Sequence, residues 1–200
     1  MKKIVAGFLM CLTPIAAWAE SDSESQMYIS TTAYAGTLDT GISSVTGGSL
    51  DEDDTAFSIN LGYYVSPKLA IEGFYIDGGE ASLKGDNGDT FVLDGTTYTF
   101  TANNVVIKSE FTAWGLNAKY DFAKTENLTV YGKAGFASWE ADFTVAASSV
   151  SSTLAKDDGT DSVFALGVDY SLSDNVLVRT EYNKVEDWTG FGVGLVFLLD

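Results

Sequence analysis

The sequence predicts an all-β protein, an eight-stranded antiparallel up-and-down transmembrane β-barrel. Three observations support this prediction. Apolar and polar residues alternate with a period of two in segments of about ten residues, the polar face of these segments is rich in glycine, and tight turns alternate with long polar connections. The length of 200 residues is that of one domain.

The N-terminus has the pattern of a secretory signal peptide. A basic start (Met1–Lys3), an apolar stretch (Ile4–Ile15) and an A-x-A cleavage site (Ala17–Ala19) follow one another. We therefore expect residues 1–19 to be a cleaved signal peptide and residues 20–200 to form one outer-membrane β-barrel domain.

Composition excludes several other classes. An anchor helix is disfavoured because the apolar stretch is shorter than the ~20 residues needed to span a bilayer and contains Pro14. The chain has 11 basic and 28 acidic residues, a formal charge of −17, so it would repel nucleic acid. Its 13% aromatic residues argue against disorder. The single cysteine, Cys11, lies in the signal peptide, so we expect no disulfide.

Eight segments alternate clearly enough to be strands. In the clearest, apolar residues occupy every second position from Phe57 to Val65, and Ser58, Asn60 and Gly62 lie between them. The first segment, rich in Thr and Ala, is the weakest. The predicted strands cover Gln26–Leu38, Thr55–Val65, Leu69–Asp77, Trp114–Phe122, Leu128–Ala137, Phe164–Leu172, Val176–Asn183 and Phe191–Leu199.

The connections between these strands are of two kinds. Tight turns are predicted at Ser66–Lys68, Ala123–Asn127 and Ser173–Asn175. Long polar loops are predicted at Asp39–Asp54, Gly78–Lys108 and Ala141–Asp161, with a short fourth loop at Asp187–Gly190. Within the second loop, Asp94-Gly95 predicts a hairpin standing above the membrane. Outer-membrane barrels place short turns in the periplasm and long loops outside the cell, so we expect the termini to be periplasmic.

Alternation alone leaves open which face is inside. A soluble lipocalin-like barrel has an apolar lumen and a wet exterior. Here the polar face carries six strand glycines, which would weaken a water-facing strand without packing anything. Inside a narrow barrel, glycine makes room for large side chains. We therefore expect the apolar face to contact lipid; the six glycines are Gly62, Gly115, Gly135, Gly167, Gly192 and Gly194.

Aromatic residues collect near the ends of the strands, as in the interfacial girdles of membrane proteins. Those by the turns are Tyr63, Tyr120, Phe122 and Tyr170, and those toward the loops are Trp114, Tyr182 and Trp188.

Six charged residues fall on the glycine-bearing face and need a partner if they are buried. Three are acidic and three basic, so they could neutralise one another and close the lumen as a plug or a gate. They are Glu72, Lys119, Lys133, Asp169, Arg179 and Glu181.

The chain resembles the outer-membrane protein A-like transmembrane domain, within the outer-membrane β-barrel family. The matching stretches are Pro67–Tyr75, Asn117–Tyr120, Tyr131–Gly135, Val163–Tyr170 and Val178–Tyr182. The resemblance implies an interior cluster of acidic and basic side chains that closes the lumen. Glu72, Lys119, Asp169 and Arg179 stand at the matching positions, with Lys133 and Glu181 beside them.

The chain departs from this family at its C-terminus. It stops after the eighth strand, so we expect no periplasmic peptidoglycan-binding domain. It ends in Leu198-Leu199-Asp200 rather than on a terminal aromatic residue, and we expect Phe197 to act as the assembly signal.

Catalytic chemistry is not expected. The chain has no histidine, and without Cys11 it has no cysteine, so the common nucleophile–base pairs are absent. The acidic loop residues Asp51, Asp53 and Asp54 are weak metal candidates, but their spacing does not match a calcium loop and solvated loop tips are the favoured interpretation. No cofactor is expected.

These observations favour a monomeric structural and surface-interaction protein of the bacterial outer membrane. Its partners would be membrane lipid, lipopolysaccharide and a ligand on a host or other cell surface that binds the loops. Two alternatives stay open: a small gated ion pore that uses the six lumen charges, and a soluble periplasmic lipocalin-like carrier.

Overall fold

The computed structural model of the protein describes residues 26–147 and 150–199. The predicted signal peptide, residues 1–19, lies outside the described residues. No helix of the described part is long and apolar enough to cross a membrane. The described residues form twelve strands: β1 Met27–Leu38, β2 Ile42–Thr46, β3 Ser49–Asp51, β4 Asp53–Ser66, β5 Leu69–Gly85, β6 Thr90–Leu93, β7 Thr96–Thr99, β8 Val105–Lys124, β9 Leu128–Ala147, β10 Val150–Ser171, β11 Val176–Val185 and β12 Trp188–Leu199.

Eight of these strands close into a barrel, which confirms the predicted fold. The order around the ring is β1-β4-β5-β8-β9-β10-β11-β12, every pairing is antiparallel, and β12 pairs with β1 to complete it. The closing pair runs in unbroken register from Met27 with Leu199 to Leu38 with Trp188. A closed ring leaves no unpaired edge, which is what a spanning sheet needs where no water is present to bond the backbone.

The predicted tight turns are confirmed at one end of the barrel, here called the turn end. Only Pro67 and Lys68 separate β4 from β5, residues 125–127 separate β8 from β9, and residues 172–175 separate β10 from β11. The other end is called the loop end. There Glu186 and Asp187 make the short connection between β11 and β12.

The predicted hairpin at Asp94-Gly95 is also confirmed. These two residues join β6 to β7 and have φ angles of 50° and 75°. A two-residue hairpin turn of this type needs positive φ at both positions, which Asp tolerates and Gly adopts freely.

The long polar loops predicted at 78–108 and 141–161 are wrong in one respect, because strand occupies most of their length. Strand β5 continues to Gly85 and β8 begins at Val105, while β9 and β10 continue to either side of residues 148 and 149. These extensions keep the barrel's hydrogen-bond ladder, but polar residues such as Glu140 and Asp142 occupy their outward positions. Both of their faces can carry polar residues there, so the alternation that marks a membrane strand is lost.

The loop end also carries a second layer of structure. Strands β2, β6 and β7 form a separate three-stranded sheet, and β3 pairs with the extended end of β5. Their apolar side chains pack around buried Leu83, Phe100 and Val105. We call β2, β3, β6, β7 and their connections the loop-end cap.

Burial settles which face of the barrel is inside. Phe136 and Leu116 on the outer face are 67% and 64% exposed, whereas Glu72 and Arg179 are 0% exposed. Apolar side chains therefore face outward and charged ones inward. The alternative of a soluble lipocalin-like carrier is wrong, because such a carrier has the reverse arrangement.

Glycines face the largest side chains of the lumen. Three of them are direct cross-strand partners of tyrosines: Gly62 of Tyr28, Gly192 of Tyr34 and Gly167 of Tyr131. A Cβ atom on any of these glycines would overlap the tyrosine ring or hydroxyl. Each tyrosine thus occupies the space that the missing side chain leaves across the ladder.

We predict that Gly135→Ala destabilises the barrel by about 1–3 kcal/mol, the usual cost of overpacking. The new Cβ would lie 2.5 Å from the Cα of Asn117, a backbone atom that cannot rotate away. Lipid-facing Gly73 is the matched control, since its nearest neighbour would be a Leu116 methyl group at 3.7 Å. Urea unfolding in detergent micelles, read from the heat-dependent shift in gel mobility, should separate the two variants. Equal unfolding midpoints would contradict this account of the lumen glycines.

Candidate functional site

The six charged residues singled out in the sequence all lie inside the barrel, and Asp121 joins them. Each of the seven is at most 4% exposed. They come from five strands, β5, β8, β9, β10 and β11, and meet in the half of the lumen nearer the turn end. We call this set the lumen charge cluster: Glu72, Lys119, Asp121, Lys133, Asp169, Arg179 and Glu181.

Each cation of the cluster contacts two carboxylates. Arg179 donates from Nε and Nη2 to the two oxygens of Asp169 at 2.8 and 2.9 Å, and its Nη1 lies 3.5 Å from Glu72. Lys133 Nζ lies 2.8 Å from Glu72 and 2.7 Å from Glu181. The third cation completes the network.

That third cation is Lys119. Its Nζ pairs with neighbouring Asp121 and lies 3.6 Å from Asp169. The ion pairs therefore form one connected set rather than isolated bridges. Partial satisfaction of such a set would be costly in a space shielded from water, so its members depend on one another.

Tyrosines supply further donors to three of the four carboxylates. Glu181 accepts hydrogen bonds from the hydroxyls of Tyr34 at 2.7 Å and Tyr131 at 2.8 Å. Tyr28 donates to Glu72, and Tyr64 donates to Asp121 at 3.0 Å. Four carboxylates face three cations, and these hydroxyls help to stabilise the extra negative charge.

The Tyr131 ring is packed among the cations. Lys119 Nζ lies 4.4 Å and the Arg179 guanidinium carbon 4.8 Å from its centroid, distances at which a cation is attracted to an aromatic face. The sequence analysis did not include the four tyrosines or Asp121 among the site residues. The alternation of residues along each strand would have revealed them. Asp121 lies on the same strand face as Lys119, and Tyr131 lies on the same face as Lys133.

An apolar layer separates the charge cluster from the loop end. Phe111 stacks on Trp188 at 6.3 Å and 4° and on Trp139 at 6.4 Å and 21°. Tyr34 meets Trp188 edge-on at 5.5 Å. Buried Phe74 and Ile76 belong to the same cluster of side chains. Among the described residues, this layer fills the upper lumen.

The assignment of Trp188 to an interfacial girdle is wrong. Its side chain is fully buried in the lumen, and its indole nitrogen donates to the carbonyl of Gly78 at 3.0 Å. Trp188 shares the inner face of β12 with Gly190 and Gly192, and a Cβ at Gly190 would overlap its ring. Its position near a strand end suggested contact with lipid, but the alternation of residues along β12 places its side chain on the inner face, in the lumen.

The other six girdle candidates lie on the outer face of the barrel, 41–63% exposed. Their contact with the membrane interface stays a prediction. They are Tyr63, Trp114, Tyr120, Phe122, Tyr170 and Tyr182.

The acidic residues named as weak metal candidates do not converge in the structure. Asp53 accepts a hydrogen bond from the Thr37 hydroxyl at 2.6 Å, and Asp54 accepts one from the Glu80 amide at 2.9 Å. Asp51 ends β3. In the described part of the chain, no group of three or more acidic or cysteine side chains is placed to hold a metal ion.

The two ends of the lumen differ in their access to water. At the turn end a cavity of about 520 Å³ reaches Asp169 and Tyr64, so water can approach the charge cluster from that side. Toward the loop end, the layer of Phe111, Trp139 and Trp188 intervenes. The lumen therefore holds two successive obstructions, one charged and one apolar.

The sequence model of one protein family, the OmpA-like transmembrane domain, matches residues 22–190 of this chain. The chain belongs to this family. Among curated proteins, outer membrane protein A of Salmonella typhi is 30% identical over 128 residues, and that of Shigella flexneri is 29% identical over 130. Both matches cover 64% of this chain but only 31% of the relative's length.

Solved barrels share the fold at low identity. The outer membrane protein OprG of Pseudomonas aeruginosa aligns with a TM-score of 0.54 and 14% identity, over 88% of this chain and 97% of OprG. Ail of Yersinia pestis, solved in complex with the heparin analogue sucrose octasulfate, aligns with a TM-score of 0.53 and 13% identity, over 88% and 100% of the two chains. Family and fold together make this chain a bacterial outer-membrane barrel.

We predict that Lys133→Met costs about 3–5 kcal/mol of stability, because it leaves Glu72 and Glu181 facing each other without their shared cation. Adding Glu181→Gln should recover part of the loss, and a double-mutant cycle measures the coupling. The matched control is Lys156→Met. Lys156 also bridges two carboxylates, Glu140 and Asp142, but its side chain is 56% exposed, so little change is expected. Similar losses in both lysine variants would show that burial of the cluster does not matter.

Proposed function

We propose that the protein is a non-enzymatic outer-membrane anchor whose loop end is an interaction surface. One observation carries this proposal: the loop-end cap has its own three-stranded sheet, which packs onto the extended barrel strands through a small apolar core around Leu83, Phe100 and Val105. The barrel closes through strands other than β2, β3, β6 and β7, so barrel closure does not require this cap. An additional layer at one end of a membrane barrel, not needed for its closure, is best explained by contacts with something outside the membrane.

The filled lumen supports a plug rather than a channel. The lumen charge cluster satisfies its charges within the barrel, and the layer of Phe111, Trp139 and Trp188 blocks the path beyond it. Opening would require both the exchange of ion pairs and the displacement of stacked rings. In this proposal the lumen holds the strands together and transports nothing.

The charge of the loop end indicates the kind of partner. Acidic residues greatly outnumber basic ones along the segments 39–54, 77–94 and 140–161, in a chain of net charge −17. Complementary charge accelerates and selects association, so a basic peptide or protein surface fits this end. Sucrose octasulfate, the ligand in the Ail structure, is highly anionic, and we expect this chain to repel it.

The remaining features of the proposal follow from the same geometry. The loop end would face the outside of the cell and both termini the periplasm, as in other barrels with short periplasmic turns. The exposed apolar outer face would contact lipid, with lipopolysaccharide around the loop end. Because the barrel closes on itself, a monomer would be sufficient.

We predict that the interaction surface can be removed without unfolding the barrel. Gly85 and Val105 are cross-strand partners, so Asn-Gly can replace residues 86–104 as a tight hairpin turn. The variant loses Asp86, Asp89 and Asp94, so it should keep the heat-dependent mobility of a folded barrel but bind polylysine more weakly when both proteins are compared in nanodiscs. Asp174→Asn at the turn end is the matched control. Undiminished polylysine binding by the shortened barrel would overturn the proposed surface.

We predict near-zero ion conductance in planar bilayers, both for the unmodified protein and for Lys119→Ala. The substitution breaks the charge cluster but leaves the aromatic layer in place above it. Discrete conductance steps in Lys119→Ala would instead support the gated-pore alternative.

A further inference from the structure

Two neighbouring cavities lie within the loop end, between the barrel wall and the loop-end cap. One, of about 160 Å³, is lined almost entirely by apolar groups, including Ile42, Leu83 and Phe91. The other, of about 370 Å³, lies above the aromatic layer, with Phe111 and Trp139 in its wall. Thr40, Leu93, Ser109 and Phe143 line both cavities, so they lie side by side.

The larger cavity has charges of one sign. Five carboxylates line it and no basic residue does; they are Asp39, Asp94, Asp157, Glu186 and Asp187. One basic side chain lies beside the cavity without lining it: the amino group of Lys184 donates to the backbone carbonyl of Glu186 at 2.9 Å. An acidic rim above an aromatic wall provides both ion pairing and cation–π attraction for a cation.

Ser109 points to the same conclusion independently of the carboxylates. It is 6% exposed and lines both cavities, yet its hydroxyl makes no hydrogen bond within residues 26–147 and 150–199. Its hydroxyl oxygen is not among the fully buried unpaired atoms of the described residues, so it is accessible from the cavities. A ligand that extends from one cavity to the other would pass this hydroxyl and could bond to it.

The carboxylates are already crowded. A hydrogen bond with Asp161, together with burial and the charge of Asp161, raises the pKa of Glu186 to about 7, and the same hydrogen bond lowers the pKa of Asp161. A bound cation would relieve this repulsion.

We propose that these cavities bind a small organic cation with an apolar body, such as an aralkylamine. The apolar body would occupy the smaller cavity, since a cavity of roughly 150 Å³ lined by apolar groups accepts a benzene ring. The ammonium group would lie in the larger cavity, near Glu186 and Asp157. The ammonium group would donate a hydrogen bond to the Ser109 hydroxyl, which lines the larger cavity as well as the smaller one. The site does not depend on the proposed surface role, since it needs no partner cell or protein.

The test uses the full mature protein in nanodiscs and three probes of similar size. These are 2-phenylethylamine, neutral 2-phenylethanol and anionic 3-phenylpropionate, titrated by calorimetry with empty nanodiscs as the blank. The amine should bind saturably, at least roughly tenfold more tightly than the alcohol, and the anion should not bind. Equal affinity for the amine and the alcohol would overturn the role of the carboxylates.

Substitutions in the lining of the two cavities test whether the amine binds there. Glu186→Gln combined with Asp157→Asn should weaken amine binding at least roughly tenfold and leave the affinity for the alcohol unchanged. Ala81→Leu should fill the smaller cavity and weaken the amine and the alcohol alike, and heat-dependent gel mobility shows whether that variant folds. Asp174→Asn at the turn end is the matched control and should bind as the unmodified protein does. No saturable amine binding up to about 10 mM, or full binding by the double variant, would overturn the proposal.

Discussion

The lumen of an eight-stranded barrel is barely wide enough for the side chains of its own strands, so each large residue needs a small one opposite it. The pairs of Tyr28 with Gly62, Tyr34 with Gly192 and Tyr131 with Gly167 meet this requirement. They bring three hydroxyls to the buried carboxylates. Without those glycines the tyrosines would not fit, and the charges would lose donors that no water molecule could easily replace.

Much of the barrel could be predicted from the sequence because lipid imposes a strict alternation. Phe57 and Leu61 are exposed on the outer face while Ser58 and Asn60 are buried, as their spacing requires. The strand extensions could not be predicted in this way. In the stretch around Glu140 and Asp142, the outer face carries carboxylates that pair with Lys156, so the apolar–polar alternation is absent there. The cap also depends on pairings between residues distant in sequence, such as Val45 with Phe91.

The sequence predicted six of the seven residues of the lumen charge cluster, but not which of them form ion pairs with one another. Alternation assigns Glu72, Lys133 and Arg179 to one face of their strands, whereas which carboxylate meets which cation depends on the register between strands. Asp121 and Trp188 show a different limit. Both occupy inward-facing positions of their strands, but Asp121 was not counted among the charged residues, and Trp188 lies near a strand end, where its position suggested the membrane interface. The strand face that a residue occupies predicted its environment better than its position along the strand did.

The aromatic layer of Phe111, Trp139 and Trp188 has two sides with different consequences. Its lower side excludes loop-end water from the charge cluster, and a lower effective dielectric strengthens each ion pair beneath it. Its upper side forms part of the wall of the acidic cavity, where the ring of Trp139 is only partly buried. The same rings thus stabilise the interior of the barrel and give its loop end an aromatic surface. A substitution such as Phe111→Ala would therefore affect both properties, whereas changes at Glu186 or Asp157 would affect the loop end alone.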